Sequence, residues 1–160
     1  MDLEQLVRHT ILSEVAAMSL YTRLANSVVH DDQRGLLRML AAAEESHIGR
    51  LTELVGELGE EGARVLGSIG LVAGLRLEAD KQLEDQLAAF GLGVASTVRE
   101  LLHFAIAMEA KAGGHYSRLA AEAADERLRA FFSLLVEEEA GHAAQLEHLR
   151  QMLEASSPTG

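Results

Sequence analysis

The sequence contains no cysteine, no tryptophan and a single proline among its 160 residues. Without cysteine it has no disulfides, thiolate metal ligands, iron–sulfur clusters or thiol nucleophiles. Aromatic residues make up only 4% of the chain, whereas Leu, Ala and Glu are abundant. Since strands favour β-branched and aromatic residues, this composition predicts an all-α protein.

Basic residues are also scarce, with 14 Lys and Arg against 25 Asp and Glu, a net charge of −11. Nucleic acids and anionic membranes are bound by basic patches, so neither partner is expected. No segment approaches the roughly 20 apolar residues of a membrane span, and the first residues do not resemble a secretory signal. We therefore expect a cytoplasmic protein.

Glycine is distributed unevenly along the chain. Eight of the 14 glycines lie between Gly56 and Gly93, which predicts that long helices stop there. Only one short helix, over residues 76–90, is expected inside this connector. The predicted organisation is a single domain over residues 1–155, comprising a hairpin at 2–57, a connector at 58–95 and a hairpin at 96–154, followed by a flexible tail at 156–160.

The two predicted hairpins are copies of one another. Sliding the chain by 95 residues aligns Glu14 with Glu109 and Tyr21 with Tyr116, without a gap. Self-similarity at a fixed offset indicates a duplicated structural unit. Apolar residues in each unit follow the 3.6-residue period, and acidic residues mark the helix starts. The sequence thus predicts a four-helix bundle of two helical hairpins joined by a long crossover, with helices over 2–29, 31–57, 96–123 and 126–154.

Six polar residues of the repeat fall on apolar helix faces, where an unpaired carboxylate would be costly. A Glu and a His three residues apart lie on one side of a helix, and each pair of glutamates is equally distant from its turn. Two divalent cations would balance the four carboxylates. Oxygen and nitrogen ligands without sulfur favour iron or manganese, with zinc as a possible substitute. The predicted metal ligands are Glu14, Glu44, His47, Glu109, Glu139 and His142.

These residues resemble the rubrerythrin branch of the ferritin-like di-iron carboxylate superfamily. Residues 105–109 (AIAME), then Tyr116 and residues 118–120 (RLA), resemble its third helix. Residues 14–25 resemble the first helix, and the two Glu-x-x-His segments resemble the second and fourth. The resemblance implies a ferritin-like bundle holding two iron ions per chain, whose ferrous pair reacts with O2 or H2O2.

The resemblance also implies a role for each ligand. Glu14 and Glu109 would be terminal ligands, Glu44 and Glu139 bridges, and the two histidines one nitrogen ligand per metal. Lys111, Ala112 and Gly113 follow Glu109, where rubrerythrins carry an extra carboxylate, so the simpler six-ligand set of the bacterioferritin type is expected. A rubredoxin domain would need four cysteines, so an external electron donor protein is expected.

Several residues beside the ligands have two interpretations. Tyr21 and Tyr116 either pack in the core or, as we favour, donate a hydrogen bond to a ligand carboxylate. The pair Gly113-Gly114 suggests a π-bulge or a close helix contact. His115 is expected to point away from the site, and residues 137–138 to form part of a solvated face. Whether Glu122, Glu138 or His115 enters the site in another redox state is left open.

Three functions are compatible with these residues. The first is a di-iron oxidoreductase, either a ferroxidase or a peroxide-scavenging oxidase. The second is an iron-storage or encapsulated-cargo subunit of a larger assembly. The third is a structural bundle that holds zinc or no metal. Apolar residues such as Leu36, Phe131 and Phe132, if they face outward, favour a homodimer or larger homo-oligomer.

Overall fold

A computed structural model describes residues 1–70 and 72–156, with residues 72 and 73 described by their backbone alone. Within these ranges the chain forms helices and no strands, which confirms the predicted all-α class. Most of the predicted tail lies outside the described residues. The helices are α1 (Leu3–Ser27), α2 (Asp31–Gly56), α3 (Gly59–Ile69), α4 (Val72–Ala89), α5 (Val98–Glu122) and α6 (Glu126–Ala155).

The duplication is visible in the helix bounds and in their caps. Moving the bounds of α1 along the chain by 95 residues gives the bounds of α5. Asp2 begins α1 by accepting a hydrogen bond of 2.8 Å from the amide of Gln5. Thr97 begins α5 in the same way, accepting one of 3.2 Å from the amide of Glu100. Both are capping boxes, because the Gln5 and Glu100 side chains bond back to the cap amides.

Four of the helices pack as a bundle. Helix α1 packs against α2, and α5 packs against α6, each pair being joined by a turn of three residues. The two pairs meet through contacts of α1 with α5 and of α2 with α6. Tyr21, Tyr116 and Phe132 are among the largest side chains buried between them. The predicted metal ligands lie on these four helices, so their inward faces share one interior.

Helix α4 lies against α1 on the outside of this bundle. Its buried side chains, Leu75, Ala79, Leu83 and Leu87, recur every four residues and therefore lie along one side. The expected helix at 76–90 is thus present, extended by four residues at its start. Polar contacts such as the 2.9 Å hydrogen bond from Ser19 Oγ to Asp80 fix α4 on α1.

Helix α3 was not predicted, because its three glycines were interpreted as helix breakers. One of them is required by packing instead. A Cβ added at Gly62 would lie 1.8 Å from the carbonyl oxygen of Val55, at the end of α2. Gly62 therefore permits α3 to fold back closely on α2. Gly70 ends α3 with a φ of +73°, a conformation that glycine adopts without strain.

The pair Gly113-Gly114 marks neither a π-bulge nor a close helix contact, so both suggestions were wrong. Helix α5 is α-helical from Val98 to Glu122, and both glycines have a negative φ. A Cβ added at either position would meet no atom within 4 Å. The two glycines therefore cost helix stability without serving the packing of the described residues.

Replacing these glycines with alanine is expected to stabilise the fold. Gly113→Ala and Gly114→Ala should each raise the free energy of unfolding by about 1 kcal/mol, the difference between glycine and alanine inside a helix. Gly62→Ala is the matched control, and should lower it by about 1–3 kcal/mol because the new methyl group overlaps Val55. Urea unfolding of the metal-free protein measures all three. Equal effects at Gly62 and Gly114 would contradict this account of the glycines.

The apolar residues proposed for a dimer surface do not face outward together. Phe131 and Phe132 are buried and Leu36 is half-buried. A homodimer therefore stays a prediction without support from these three residues. Among the described helices, no segment combines the length and the apolar character needed to cross a membrane.

Candidate metal centre

The structure brings all six predicted ligands together in the interior of the bundle. Each of the four helices contributes a glutamate, and α2 and α6 contribute a histidine three residues after theirs. The six side chains are buried, with residue exposures from 0% for Glu44 to 8% for His142. Equal distance of the glutamates from the two turns accounts for this convergence, as the sequence predicted.

The ligand atoms form two overlapping groups. In each group one carboxylate oxygen or imidazole nitrogen from each residue lies within 4.8 Å of those from the others. Both groups contain Glu44 and Glu139, and each has one further glutamate and one histidine of its own. The first group adds Glu14 and His47, and the second adds Glu109 and His142. Each group could hold a metal ion, with Glu44 and Glu139 between the two positions.

Both imidazoles direct the same nitrogen at the carboxylates. His47 Nδ1 lies 2.9 Å from Glu14 Oε2 and 3.0 Å from Glu44 Oε2. His142 Nδ1 lies 2.9 Å from Glu44 Oε1 and 3.4 Å from Glu139 Oε2. The two rings stack with centroids 5.9 Å apart. The Nδ1 atoms are therefore the nitrogens available to a metal.

Several buried atoms of this cluster have no hydrogen-bond partner. An unsatisfied buried polar group costs about 1–3 kcal/mol, and more if it is charged. A cation between the carboxylates would satisfy these atoms, so the donor set fits a metal. The atoms without a hydrogen bond are Glu44 Oε1 and Oε2, Glu109 Oε2, Glu139 Oε1 and His142 Nδ1, and their close contacts are ionic, such as that between His142 Nδ1 and Glu44 Oε1.

Burial and crowding determine the charges of the metal-free cluster. Burial, together with the neighbouring Glu139, raises the pKa of Glu109 to about 11, and burial raises that of Glu14 well above its usual value. Burial opposes the charged imidazoles, but Glu14 and Glu44 raise the pKa of His47 to about 10. Glu139 and Glu44 similarly raise the pKa of His142 to about 9.

Glu44 has the opposite shift. Although burial opposes its ionisation, His142 and His47 lower the pKa of this carboxyl to about 2. At neutral pH the metal-free cluster therefore holds protons on both imidazoles and on the Glu109 carboxyl, while Glu44 is ionised. These protons stand in for positive charge that a metal would supply.

Tyr21 and Tyr116 differ in their hydrogen bonds to the cluster glutamates. The hydroxyl of Tyr116 donates a hydrogen bond to Glu14 Oε1 across the bundle, so this residue makes the predicted contact with a carboxylate. Burial raises the pKa of Tyr116 well above its usual value, so the phenol stays protonated and remains a donor. Tyr21 is equally buried, but within the described ranges its hydroxyl makes no hydrogen bond to the four glutamates. Of the two tyrosines, only Tyr116 is placed to orient a ligand carboxylate in the described part of the chain.

Sequence analysis missed Glu138, which it assigned to a solvated face. The Glu138 carboxylate accepts a hydrogen bond from His47 Nε2 and another, of 2.8 Å, from Arg50 Nη2. Arg50 in turn lies over the Phe131 ring, 5.9 Å from its centroid. These contacts lower the pKa of Glu138 despite the burial that opposes its ionisation. Glu138 therefore stays ionised and fixes the orientation of the His47 ring.

The feature of the sequence that could have identified Glu138 is its lack of a counterpart in the other half of the repeat. At the offset of 95 residues, Glu138 corresponds to Ala43 and Arg50 to Gln145. Both members of this pair are thus specific to one half of the chain. Within the described residues, His142 Nε2 has no carboxylate partner of this kind. The two candidate metal positions are therefore supported differently.

His115 points away from the cluster, as predicted. Its ring lies 4.4 Å from that of His9, outside both groups of ligands. Glu122 is exposed near the end of α5 and is likewise outside both groups. Of the three additional residues considered from the sequence, only Glu138 contacts a predicted ligand.

A small cavity lies beside the carboxylates. Its volume is about 20 Å³, and its lining includes all four cluster glutamates together with Ser13, Ala17, Met108 and Ala112. A buried space of this size holds about one water molecule. The centre therefore has room for a very small ligand next to its carboxylates.

Comparison of the chain with protein-family models, with curated proteins and with solved structures gives no significant match to any of them.

Proposed function

We propose that this protein is a ferritin-like di-iron protein whose ferrous pair reacts with O2 or H2O2. In this proposal α1, α2, α5 and α6 form the four-helix bundle, and α3 and α4 lie in the crossover between its hairpins. The observation that carries the proposal is the pair of buried ligand groups sharing Glu44 and Glu139. Such sharing holds two ions side by side, as a two-electron reaction with dioxygen or peroxide requires.

Each residue has a defined task in this proposal. Glu14 and His47 would hold one ion and Glu109 and His142 the other, while Glu44 and Glu139, which belong to both groups, would be shared between them. Four carboxylates balance two divalent cations, so the loaded interior is close to neutral. The iron pair supplies the electrons that reduce the oxidant, one from each ion. Manganese or zinc could occupy the same oxygen and nitrogen ligands, so the choice of iron belongs to the proposal.

The residues around the ligands fix their geometry. Tyr116 donates a hydrogen bond to Glu14 Oε1 and would thereby orient this carboxylate as a ligand. The space of about 20 Å³ beside the glutamates is about the size of one water molecule, so only a very small ligand fits next to them. Buried apolar side chains around the cluster keep other water out of the site. An external electron donor and a homo-oligomeric assembly remain part of the proposal.

Anaerobic titration of the metal-stripped protein with Fe(II) tests this function. We expect two ions bound per chain, followed by rapid oxidation when O2 or H2O2 is admitted. The double variant Glu44→Ala, Glu139→Ala should lose both the binding and the oxidation, because each residue belongs to both ligand groups. Colorimetric iron assay measures the binding, and absorption of the ferric product measures the oxidation.

A matched control replaces the neighbouring exposed glutamates. Glu45→Ala, Glu137→Ala removes the same charge from the same two helices without touching the cluster. This variant should bind and oxidise iron like the parent protein. Circular dichroism of both variants checks that the helices are intact. Failure of the parent protein to bind iron, or binding without oxidation, would overturn the proposal and favour a zinc-bound or metal-free bundle.

A further inference from the structure

A second, larger cavity lies between α1, α4 and α5, next to the candidate metal centre. Its volume is about 370 Å³, within the range of small-molecule sites. Among the described residues no carboxylate lines it, although acidic residues outnumber basic ones in this chain. Its charged and polar lining consists of His9, Gln82, Gln86, Lys111, His115 and Arg118.

The charge of this lining is positive. Lys111 and Arg118 are exposed cations, and neither forms an ion pair with a carboxylate in the described part of the chain. The Nε2 atom of His115 is buried without a hydrogen-bond partner. Cations and a polar atom without partners at one cavity indicate a site for an anion.

A metal at the His9–His115 pair is the competing interpretation. Their rings are 4.4 Å apart, close enough to share an ion. However, burial and then Lys111 lower the pKa of His9. Burial, His9 and Arg118 lower the pKa of His115 against the opposing effect of Glu122, so positive charge is already disfavoured here. In the described residues no third imidazole or carboxylate completes a ligand group with them. The surroundings thus disfavour a cation and favour an anion.

The remaining lining favours an organic anion over an inorganic one. Gln82 and Gln86 offer amide groups from α4, opposite an apolar wall that includes Ala16, Met108 and Ala112. An inorganic ion would leave this wall and most of the volume unused. A carboxylate with a carbon skeleton would use both the cations and the wall.

The cavity adjoins the metal centre. Ser13, Met108 and Ala112 line both this cavity and the small space beside the four glutamates. Ser13 also lies beside the hydroxyl of Tyr116, which donates to Glu14. A molecule in the cavity is therefore separated from the carboxylates by one layer of side chains.

We propose that this cavity binds a small organic carboxylate, held by Lys111 and Arg118 at its charged end and by Met108 and Ala112 along its carbon skeleton. This binding involves none of the six cluster residues, so it is independent of the proposed function. The proposal therefore survives or fails on metal-free protein, whatever the outcome of the iron titration.

Isothermal titration of the metal-free full chain with benzoate and with succinate tests the site. We expect at least one of them to bind one per chain, with a dissociation constant of about 1 mM or lower. Lys111→Gln, Arg118→Gln should weaken that binding by about tenfold or more, equivalent to about 1.4 kcal/mol. Both residues are exposed, so the fold should tolerate the change.

The control is Arg38→Gln, Arg76→Gln, which removes two exposed cations that do not line this cavity. Its affinity should equal that of the parent protein. Benzamide, the uncharged analogue of benzoate, should bind at least tenfold more weakly if the cations recognise the charge, a difference of about 1.4 kcal/mol. The proposal would be overturned if neither carboxylate binds, or if the Lys111→Gln, Arg118→Gln variant binds as tightly as the parent protein. It would also be overturned if inorganic phosphate binds as tightly as the carboxylates.

Discussion

Metal binding at neutral pH is expected to release about three protons per chain, because three groups of the metal-free cluster are protonated there. Burial and the neighbouring Glu139 keep a proton on Glu109, whose pKa is raised to about 11. Contacts with the glutamates keep protons on His47 and His142, with pKa values of about 10 and about 9. A ligand must lose its proton before it can bind a metal.

The sign of the pH dependence follows from this count. Each proton released makes the affinity rise about tenfold for each pH unit, as long as the pH is below the pKa of the group. Metal affinity should therefore increase steeply with pH from neutrality towards the pKa of His142, and more gradually above it. Acidification should therefore release the metal.

Calorimetric titration with Mn(II), which is not oxidised during the measurement, tests the release. The observed enthalpy in buffers of different ionisation enthalpy gives the number of protons per chain. Glu109→Gln should release about one proton fewer, because glutamine replaces a protonated carboxyl with an uncharged group of the same shape. Glu45→Gln, an exposed neighbour of Glu44, should release as many as the parent protein. An enthalpy that does not vary with the buffer would contradict the charges assigned to the cluster.

The sequence was sufficient to locate the cluster because duplication labels its members twice. Glu14 alone is one of 25 acidic residues. At one offset of 95 residues, however, Glu14 corresponds to Glu109, Glu44 to Glu139 and His47 to His142. Chance surface residues rarely keep such a register. The structure places all six together and buries them. Internal repetition therefore singled out these residues in the way that a comparison of related sequences usually does.

The same reliance on repetition explains what was missed. Glu138 and Arg50 have no counterparts, so comparing the halves could not single them out. Helix α3 was missed for a different reason. Glycine lowers helix propensity, but Gly62 is a contact point between α3 and α2, and tertiary packing outweighs that preference. Local propensity cannot show which of two glycines faces a neighbouring backbone.

Tyr116 and Tyr21 show a further limit of the repeat. Both tyrosines follow a cluster glutamate by seven residues, so the sequence treats them alike. Only Tyr116 donates to a cluster carboxylate in the described structure. Together with Glu138, this contact supports the Glu14–His47 side of the centre and leaves the Glu109–His142 side with fewer partners. The duplicated ligands therefore lie in surroundings that are not duplicated.

From this asymmetry we expect the two metal positions to differ in affinity, with Glu138 responsible for part of the difference. Glu138 accepts a hydrogen bond from His47 Nε2, which keeps a proton on Nε2 and lets Nδ1, directed at the cluster, lose its proton to a metal. Glu138→Ala should weaken binding at the Glu14–His47 position by about 10–100-fold, the usual effect of removing such a partner from a metal-bound imidazole. The Glu109–His142 position should change little, because Glu138 does not contact it.

Anomalous diffraction from crystals with less than saturating Mn(II) measures the occupancy of each position. In the parent protein, Mn(II) should fill the Glu14–His47 position first. In Glu138→Ala this position should no longer fill before the Glu109–His142 position. Glu138→Gln should restore part of it, because the glutamine oxygen still accepts a hydrogen bond from His47. Glu137→Ala, an exposed neighbour, should leave both occupancies unchanged. An equal loss at both positions would show that Glu138 supports the fold of the site rather than one imidazole.

The reverse substitution separates these two explanations further. Ala43 occupies the position that corresponds to Glu138 in the other half of the chain, and it is only half-buried. Ala43→Glu would supply a carboxylate next to His142 Nε2, provided that the two halves are symmetric at this point. We expect it to raise the affinity of the Glu109–His142 position and to bring the two occupancies closer together. If Glu138 acts through its imidazole, then adding its counterpart should strengthen the weaker position, whereas a purely structural role for Glu138 predicts no gain.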